Sequence, residues 1–231
     1  MNGPSTVLPA GAYWKRYYSD AFRFGLGTEH ILATLNGLPP ARRWADLGSG
    51  SETMLWAIAL QADSLTAVDT DPRRLAILRA FTTAARPRGI HRTALQLCHR
   101  YRSEDFTARC RSLNATVRAD CLTGHTPVHP DLPTGGFDLV TQFGLLGLCR
   151  SADHFTACFT ALHRLLAPGG QAAGANWVRA SPSDGRVTLD EQLYRRAAER
   201  AGLDLAELRQ LPSADPDFPS LWLYTATRRT V

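Results

Sequence analysis

The residues best placed to do chemistry lie in one ten-residue stretch, Ala45–Met54, ADLGSGSETM. Gly48 and Gly50 flank Ser49, a spacing that lets the backbone turn sharply and approach a ligand closely. Acids stand on both sides of the turn, Asp46 before it and Glu52 after it. A further acid, Asp69 in AVDTDP, follows 23 residues after Asp46. That is about the interval at which a carboxylate at the end of the next strand accepts both hydroxyl hydrogens of a ribose. Two phosphate-binding readings fail here. A dinucleotide turn needs a third glycine where Thr53 stands, and Glu52 would repel a pyrophosphate laid on the following helix. A phosphate-binding loop needs a lysine after its last glycine, and Lys15 is the only lysine in the chain.

The acids suit an adenosyl compound that carries positive charge in place of phosphate. S-adenosylmethionine offers an ammonium, a sulfonium and a ribose diol. Its amino-acid end fits over Gly48, Ser49 and Gly50 beside Asp46, and its ribose fits against Asp69 and Thr70. A third contact is expected where the third strand ends, in RADCL. There the Asp120 carboxylate can accept from the adenine amino group and the Cys121 amide can face a ring nitrogen. Asp120 as a simple loop-capping carboxylate is the competing reading.

These residues need a parallel sheet to position them. RRWADLG reads as a buried strand and ETMLWAIALQA as a helix; LTAVDTD is a second strand and PRRLAILRAFTTAA a second helix opened by Pro72. This β-α-β-α order is the pattern of a parallel sheet covered by helices. An arginine-rich helical insertion follows over about 86–114, helical near Arg92–Tyr101 and again near Phe106–Ser112. ATVRAD, FDLVTQFGLL and QAAGANWV supply three more strands, separated by a Pro/Gly loop and by a helix, DHFTACFTALHRLLAPGG, that Pro168, Gly169 and Gly170 stop. Thr188 and Glu191 form a capping box for TLDEQLYRRAAERAGL, and LAELRQLP with SLWLYTATRR make a terminal hairpin. The expected fold is α/β, a doubly wound, mostly parallel seven-stranded sheet in one domain, 1–231, with lid helices over 1–40 before the core.

Composition excludes several classes. Charged residues are 20% and hydrophobic ones 44%, a globular balance, and no apolar run approaches the roughly 20 residues of a membrane span. MNGPSTVLPAG lacks the basic and apolar regions of a signal peptide, so a cytoplasmic protein is expected. The five cysteines include no CxxC pair, so free thiols are expected and no metal centre. Eight arginines between Arg86 and Arg118 face only Glu104 and Asp105. They form either a solvated helical face or a docking surface for an anionic substrate, an acidic carrier protein or a second subunit. Interleaved aromatics for base stacking are missing, so nucleic acid is not an expected partner.

On these motifs the chain resembles class I methyltransferases, and within them the nicotinamide, phenylethanolamine and thioether N/S-methyltransferase family. YWKRYY is similar to that family's Tyr-x-x-x-Tyr-Tyr segment, DLGSGS to its glycine turn, and VDTDPRRL to the end of its second strand. The resemblance implies that Tyr13 and Tyr18 close over S-adenosylmethionine, where aromatic faces suit a sulfonium and exclude water. It carries the ribose contact onto Asp69 and a neighbouring polar contact onto Arg74, and sets Gln142 near the transferred methyl. Tyr17, Phe143, Asn176 and Trp177 become the expected substrate contacts. Aromatic packing on the sheet is the competing reading of the three tyrosines. The chain departs from the amine-methylating members at Asn176, where an acid holds the substrate amine, and at Pro182 and Ser183, where paired tyrosines are expected. Gln142 and Phe143 replace the Asn-Pro-Pro-Tyr type motif of nucleic-acid base methylation, and no acid cluster for Mg²⁺ is present.

Methyl transfer to N, O or S of a small molecule in secondary metabolism is therefore the leading expectation. No general base is evident, and an in-line displacement depends mainly on positioning. A second reading keeps the fold and drops the donor, using the cleft for another displacement such as a ring closure with loss of an anionic group. A third is a subunit that has lost activity and stabilises a partner through the arginine-rich segment.

Overall fold

The computed structural model describes residues 21–181 and 185–230. In chain order the elements are α1 (Thr28–Asn36), β1 (Ala41–Leu47), α2 (Thr53–Ala57), β2 (Ala62–Asp69), α3 (Pro72–Ala84), α4 (Gly89–Leu97), α5 (Ser103–Arg111) and β3 (Leu113–Arg118). They continue with β4 (Phe137–Phe143), a 3₁₀ turn (Leu146–Leu148), α6 (Ala152–His163), β5 (Leu166–Val178), α7 (Glu191–Ala201), β6 (Leu203–Asp215) and β7 (Phe218–Arg228).

The central strands are apolar on both faces because helices cover both, as a parallel sheet requires. Trp44, Ala45 and Leu47 of β1, and Leu65, Ala67 and Val68 of β2, are all buried. The seven strands lie in the order β3-β2-β1-β4-β5-β7-β6. Strands β1 to β5 pair in parallel, and β7 runs antiparallel between β5 and β6. From β1 the chain builds outward through β2 to β3, then returns to place β4 on the other side of β1. The reversal of strand order therefore falls between β1 and β4, where an open α/β sheet leaves a crevice at its carboxyl edge.

One core lies between the sheet and α6 and α7, built on Phe155, Phe159, Tyr194 and Tyr224. The other lies beneath α1, α2, α4 and α5, built on Ile31, Leu32, Trp44, Ile90 and Phe106. The seven strands, the parallel order and the terminal hairpin agree with the sequence reading. Four local expectations are corrected. The helix after the glycine turn spans five residues, because the chain must begin β2 at Ala62. The helix before β5 ends at His163, and Pro168, Gly169 and Gly170 lie inside β5 at a register shift against β4. The arginine-bearing helices begin a few residues earlier than expected, at Gly89 and Ser103. The cap of α7 is Asp190, whose carboxylate accepts from the Leu193 N–H at 2.7 Å, and not Thr188.

Candidate functional site

β1 delivers Asp46 to its carboxyl end, and the chain then turns through Gly48 (φ +69°) and Gly50 (φ +58°). Both lie in the left-handed region that side chains avoid, so glycine is needed for the turn itself. The turn is also tight. A Cβ on Gly48 would fall 2.9 Å from Leu145 Cδ1, and one on Gly50 would collide with the Glu52 carboxylate. Leu145 belongs to the loop after β4, so the two sides of the strand-order reversal meet at Gly48.

Three carboxylates are buried around this turn. Asp46 is 1% exposed, Glu52 4% and Asp69 7%. Asp46 is held by a chain of hydroxyls. Thr141 donates to Oδ1 at 2.7 Å and Thr53 to Oδ2 at 2.8 Å, while Trp44 Nε1–H donates to Thr141 Oγ1 at 2.7 Å. Burial nonetheless raises the Asp46 pKa to about 7, against the pull of the two hydroxyls. Burial raises Glu52 as well, opposed by hydrogen bonds from Ser51 and by the charge of Arg74. Asp69, at the end of β2, accepts from the Gly50 N–H at 2.9 Å through Oδ2 and from the Asp71 N–H at 2.8 Å through Oδ1. It thereby ties the second strand to the glycine turn. Thr70 beside it is exposed.

Past the end of β3, Cys121 lies buried against the turn, near the Gly48 backbone. Burial pushes its pKa up to about 12, so it is an unreactive neutral thiol. Asp120 is exposed and accepts from the Leu122 N–H at 2.8 Å, the loop-capping contact named as its alternative. The sequence-predicted residues Asp46, Gly48, Ser49, Gly50, Asp69, Arg74 and Cys121 are thus brought to one corner of the sheet.

The predicted substrate residues divide. Phe143 packs against Trp56 with ring centroids 4.6 Å apart and the rings tilted, on the same face of the sheet as Asp46. Trp177 donates from Nε1 to the Leu26 carbonyl at 3.0 Å and lines a cavity of about 270 Å³. Asn176 and Gln142 point to the opposite face. Asn176 is wholly buried, donating to the Tyr194 hydroxyl at 2.8 Å and accepting from the Gly147 N–H at 3.0 Å. Gln142 accepts from the Leu146 N–H at 3.2 Å and lies with the Tyr224 hydroxyl over Gly174, where a Cβ would meet both. Tyr13, Tyr17 and Tyr18 lie outside the described residues, as do Pro182 and Ser183.

Sequence reasoning missed the hydroxyls of Thr53 and Thr141 that hold Asp46, and Leu145 over Gly48. It also missed Arg179, Arg186 and Phe218, which join Trp177 around the cavity. Thr141 stands directly opposite Asp46 in the β1–β4 register, a relation visible only once the strands are paired.

The site tests well against the cation expected from sequence. The glycine cradle has no room for a side chain, and the donor set is acidic: buried carboxylates are unfavourable without a compensating cation. Among the described residues, Arg74 is the cationic side chain that reaches this corner.

No family model matches the chain, and no curated protein matches it in sequence. Solved structures do match in fold. The N-methyltransferase NodS from Bradyrhizobium japonicum WM9, in complex with S-adenosyl-L-homocysteine, superposes with a TM-score of 0.59 at 16% identity, covering 96% of this chain and 99% of that one. Magnesium protoporphyrin IX methyltransferase (ChlM) from Synechocystis PCC 6803, also with S-adenosyl-L-homocysteine bound, gives 0.57 at 13% identity over 93% of this chain and 92% of that one. A chain of the complex between the Haloferax volcanii Trm112 methyltransferase activator and a methyltransferase gives 0.61 at 16% identity over 96% and 94%. At such identities the likeness is one of fold: the chain has the Rossmann-like, seven-stranded fold of class I methyltransferases.

Proposed function

We propose that the chain transfers a methyl group from S-adenosylmethionine to an N, O or S atom of a small molecule. The observation that carries the reading is the trio of buried carboxylates, Asp46, Glu52 and Asp69, around a side-chain-free glycine turn at the strand-order reversal. The donor's positive charge matches that acidic corner, and when bound it supplies an electrophilic methyl on a sulfonium. Asp69 takes the ribose hydroxyls with Thr70 beside it, and the backbone of Gly48, Ser49 and Gly50 with Asp46 holds the amino-acid end. Asp120 and Cys121 face the adenine, Arg74 closes the outer edge, and Gln142 fixes the loop after β4 through Leu146. The lid proposed for Tyr13, Tyr17 and Tyr18 lies outside the described residues, and Phe143 and Trp177 stand on the acceptor side. Asn176 acts there by holding Gly147 in place. Positioning carries the catalysis, since an in-line displacement needs nucleophile, methyl and sulfur aligned and water kept out.

A cytoplasmic role in secondary metabolism accompanies this proposal, as does a partner at the arginine-rich segment. NodS, the solved N-methyltransferase, supports the reaction type, and the Trm112 complex supports a partner subunit.

A second reading has its own observation. Both oxygens of Asp69 already accept backbone N–H groups, and Glu52 lies over Gly50, so the corner can be read as complete without a donor. A displacement that uses no methyl donor follows from that. Isothermal titration with S-adenosylmethionine and S-adenosylhomocysteine separates the two. Micromolar binding, weakened at least tenfold by Asp69→Ala, is expected; a folded chain that binds neither compound overturns methyl transfer in favour of the second reading.

A further inference from the structure

The cavity beside Trp177 opens at the carboxyl ends of β4 and β5, next to the glycine turn. Gly144, Gly147 and Leu148 of the loop after β4 form one wall, and Leu145 of the same loop touches Gly48. At about 270 Å³ it lies just below the usual range for small-molecule sites, which suits a compact acceptor. Trp177 and Phe218 give it aromatic surfaces, and Leu26 and Leu148 add apolar ones.

Its charge is as informative as its shape. Arg179 and Arg186 both reach it. The Arg179 guanidinium lies 5.7 Å from the centroid of the Phe218 ring, and Arg186 donates to the Leu148 carbonyl. Among the described residues neither guanidinium pairs with a carboxylate. The acid on the wall, Asp215, already accepts from the Asp217 N–H at 2.9 Å. An aromatic slot with two guanidinium groups that pair with no carboxylate among the described residues selects a flat body carrying negative charge, and the planar fork of arginine matches a carboxylate in particular.

We infer that this cavity is the acceptor site and that its substrate class is a small aromatic carboxylic acid, with Arg179 holding the carboxylate and Trp177 and Phe218 the ring. The inference rests on the proposed methyl transfer, since the cavity is read as the acceptor side of that reaction.

The test is a binding measurement that uses no donor. The full chain is titrated calorimetrically with naphthalene-2-carboxylate, naphthalene-2-carboxamide and 2-naphthylmethylamine, and the series is repeated with Arg179→Gln and Phe218→Leu. The carboxylate is expected to bind at least tenfold more tightly than the amide or the amine. Arg179→Gln should erase about tenfold of that preference while leaving the amide unchanged, the loss of one charge-assisted contact. Phe218→Leu should weaken carboxylate and amide alike. Equal binding of all three compounds, preference for the amine, no binding of any at millimolar concentration, or a preference untouched by Arg179→Gln overturns the inference. Because S-adenosylmethionine is absent, carboxylate selectivity with no donor binding would sink the methyl-transfer reading and leave the anion site standing. Donor binding without selectivity would do the reverse.

Discussion

Raising the pH from about 4 to about 8 ionises Asp46 in the folded chain, and its surroundings dictate the effect on stability. Burial lifts its pKa from 3.8 to about 7 even though Thr141 and Thr53 donate to it. Between those values the unfolded chain has released the proton and the folded chain has kept it. The Asp46 contribution is therefore full below pH 3.8, declines as the pH rises, and is lost above about 7. At about 1.4 kcal/mol for each tenfold change in the ionisation constant, the decline is on the order of 4 kcal/mol. Glu52 is raised by burial too and pushes the same way. Two buried histidines oppose it. Burial lowers His91 to about 3 and His163 to about 4, so their contributions grow as the pH climbs from those values to 6.5. The raw profile mixes both trends, and the variant Asp46→Asn separates them.

Asparagine keeps the local bonds. Its oxygen accepts from Thr141 and its amide donates to Thr53, whose own hydrogen turns to the Ser49 carbonyl 3.3 Å away. Urea unfolding of both chains from pH 5 to pH 8 gives the assay. The variant should gain on the native chain steadily across that range, by about 3 kcal/mol, because most of the decline falls within it. A saturating cation at the turn should shrink the gain, since it restores favour to the ionised carboxylate. A stability difference that stays flat with pH would refute the assignment of the buried charge to Asp46. A gain that S-adenosylmethionine leaves unchanged would refute the pairing of that charge with the donor.

Two further perturbations probe the turn and the loop beside it. Gly48→Ala should destabilise the chain by about 1–2 kcal/mol through its positive φ alone. It should lose more to the contact with Leu145, so that Leu145→Ala partly rescues it in a double-mutant cycle followed by thermal unfolding. Asn176→Ala leaves the buried Tyr194 hydroxyl and the Gly147 N–H without their partner and should cost about 2–4 kcal/mol in urea unfolding; unchanged stability with weakened acceptor binding would instead make Asn176 a substrate contact.

How far the site can be read from sequence depends on whether a residue's role is local. Asp46, Gly48, Gly50 and Asp69 are legible because strand ends and glycine turns announce themselves within a few residues. The seven strands are legible for the same reason, as apolar runs punctuated by turn residues. Gln142 and Asn176 are not. A polar residue on a central strand faces either the ligand or the core, and one step along the strand decides which. Thr141 faces Asp46, whereas Gln142 faces Tyr224, and only the pairing of β4 with β1 and β5 shows it. Gly174 looks like a weak strand residue in QAAGANWV, yet it makes the space that Gln142 and Tyr224 occupy. The Pro168–Gly170 run misleads in the opposite sense. It reads as a helix stop, but the helix has already ended at His163 and the run shifts the register of β5. Arg179 and Arg186 stand near each other in the chain but far from Phe218, which reaches them only because β7 pairs with β5.

The two halves of the site differ in charge sign, and the loop Gly144–Leu148 keeps them apart. On one side Leu145 covers the glycine turn with its buried carboxylates; on the other Gly144, Gly147 and Leu148 line the cavity that Arg179 and Arg186 reach. That arrangement suits a cationic donor and an anionic acceptor and disfavours the exchange of their places. On the proposed reading the Asp46 carboxylate faces the ammonium that the donor and its demethylated product share, so its charge, once ionised, strengthens the binding of both. Because burial raises Asp46 and Glu52, that hold tightens as the pH passes through about 7, the Asp46 value. The same burial that weakens the empty fold at neutral pH thus couples ligand binding to pH, and the two effects share one titration.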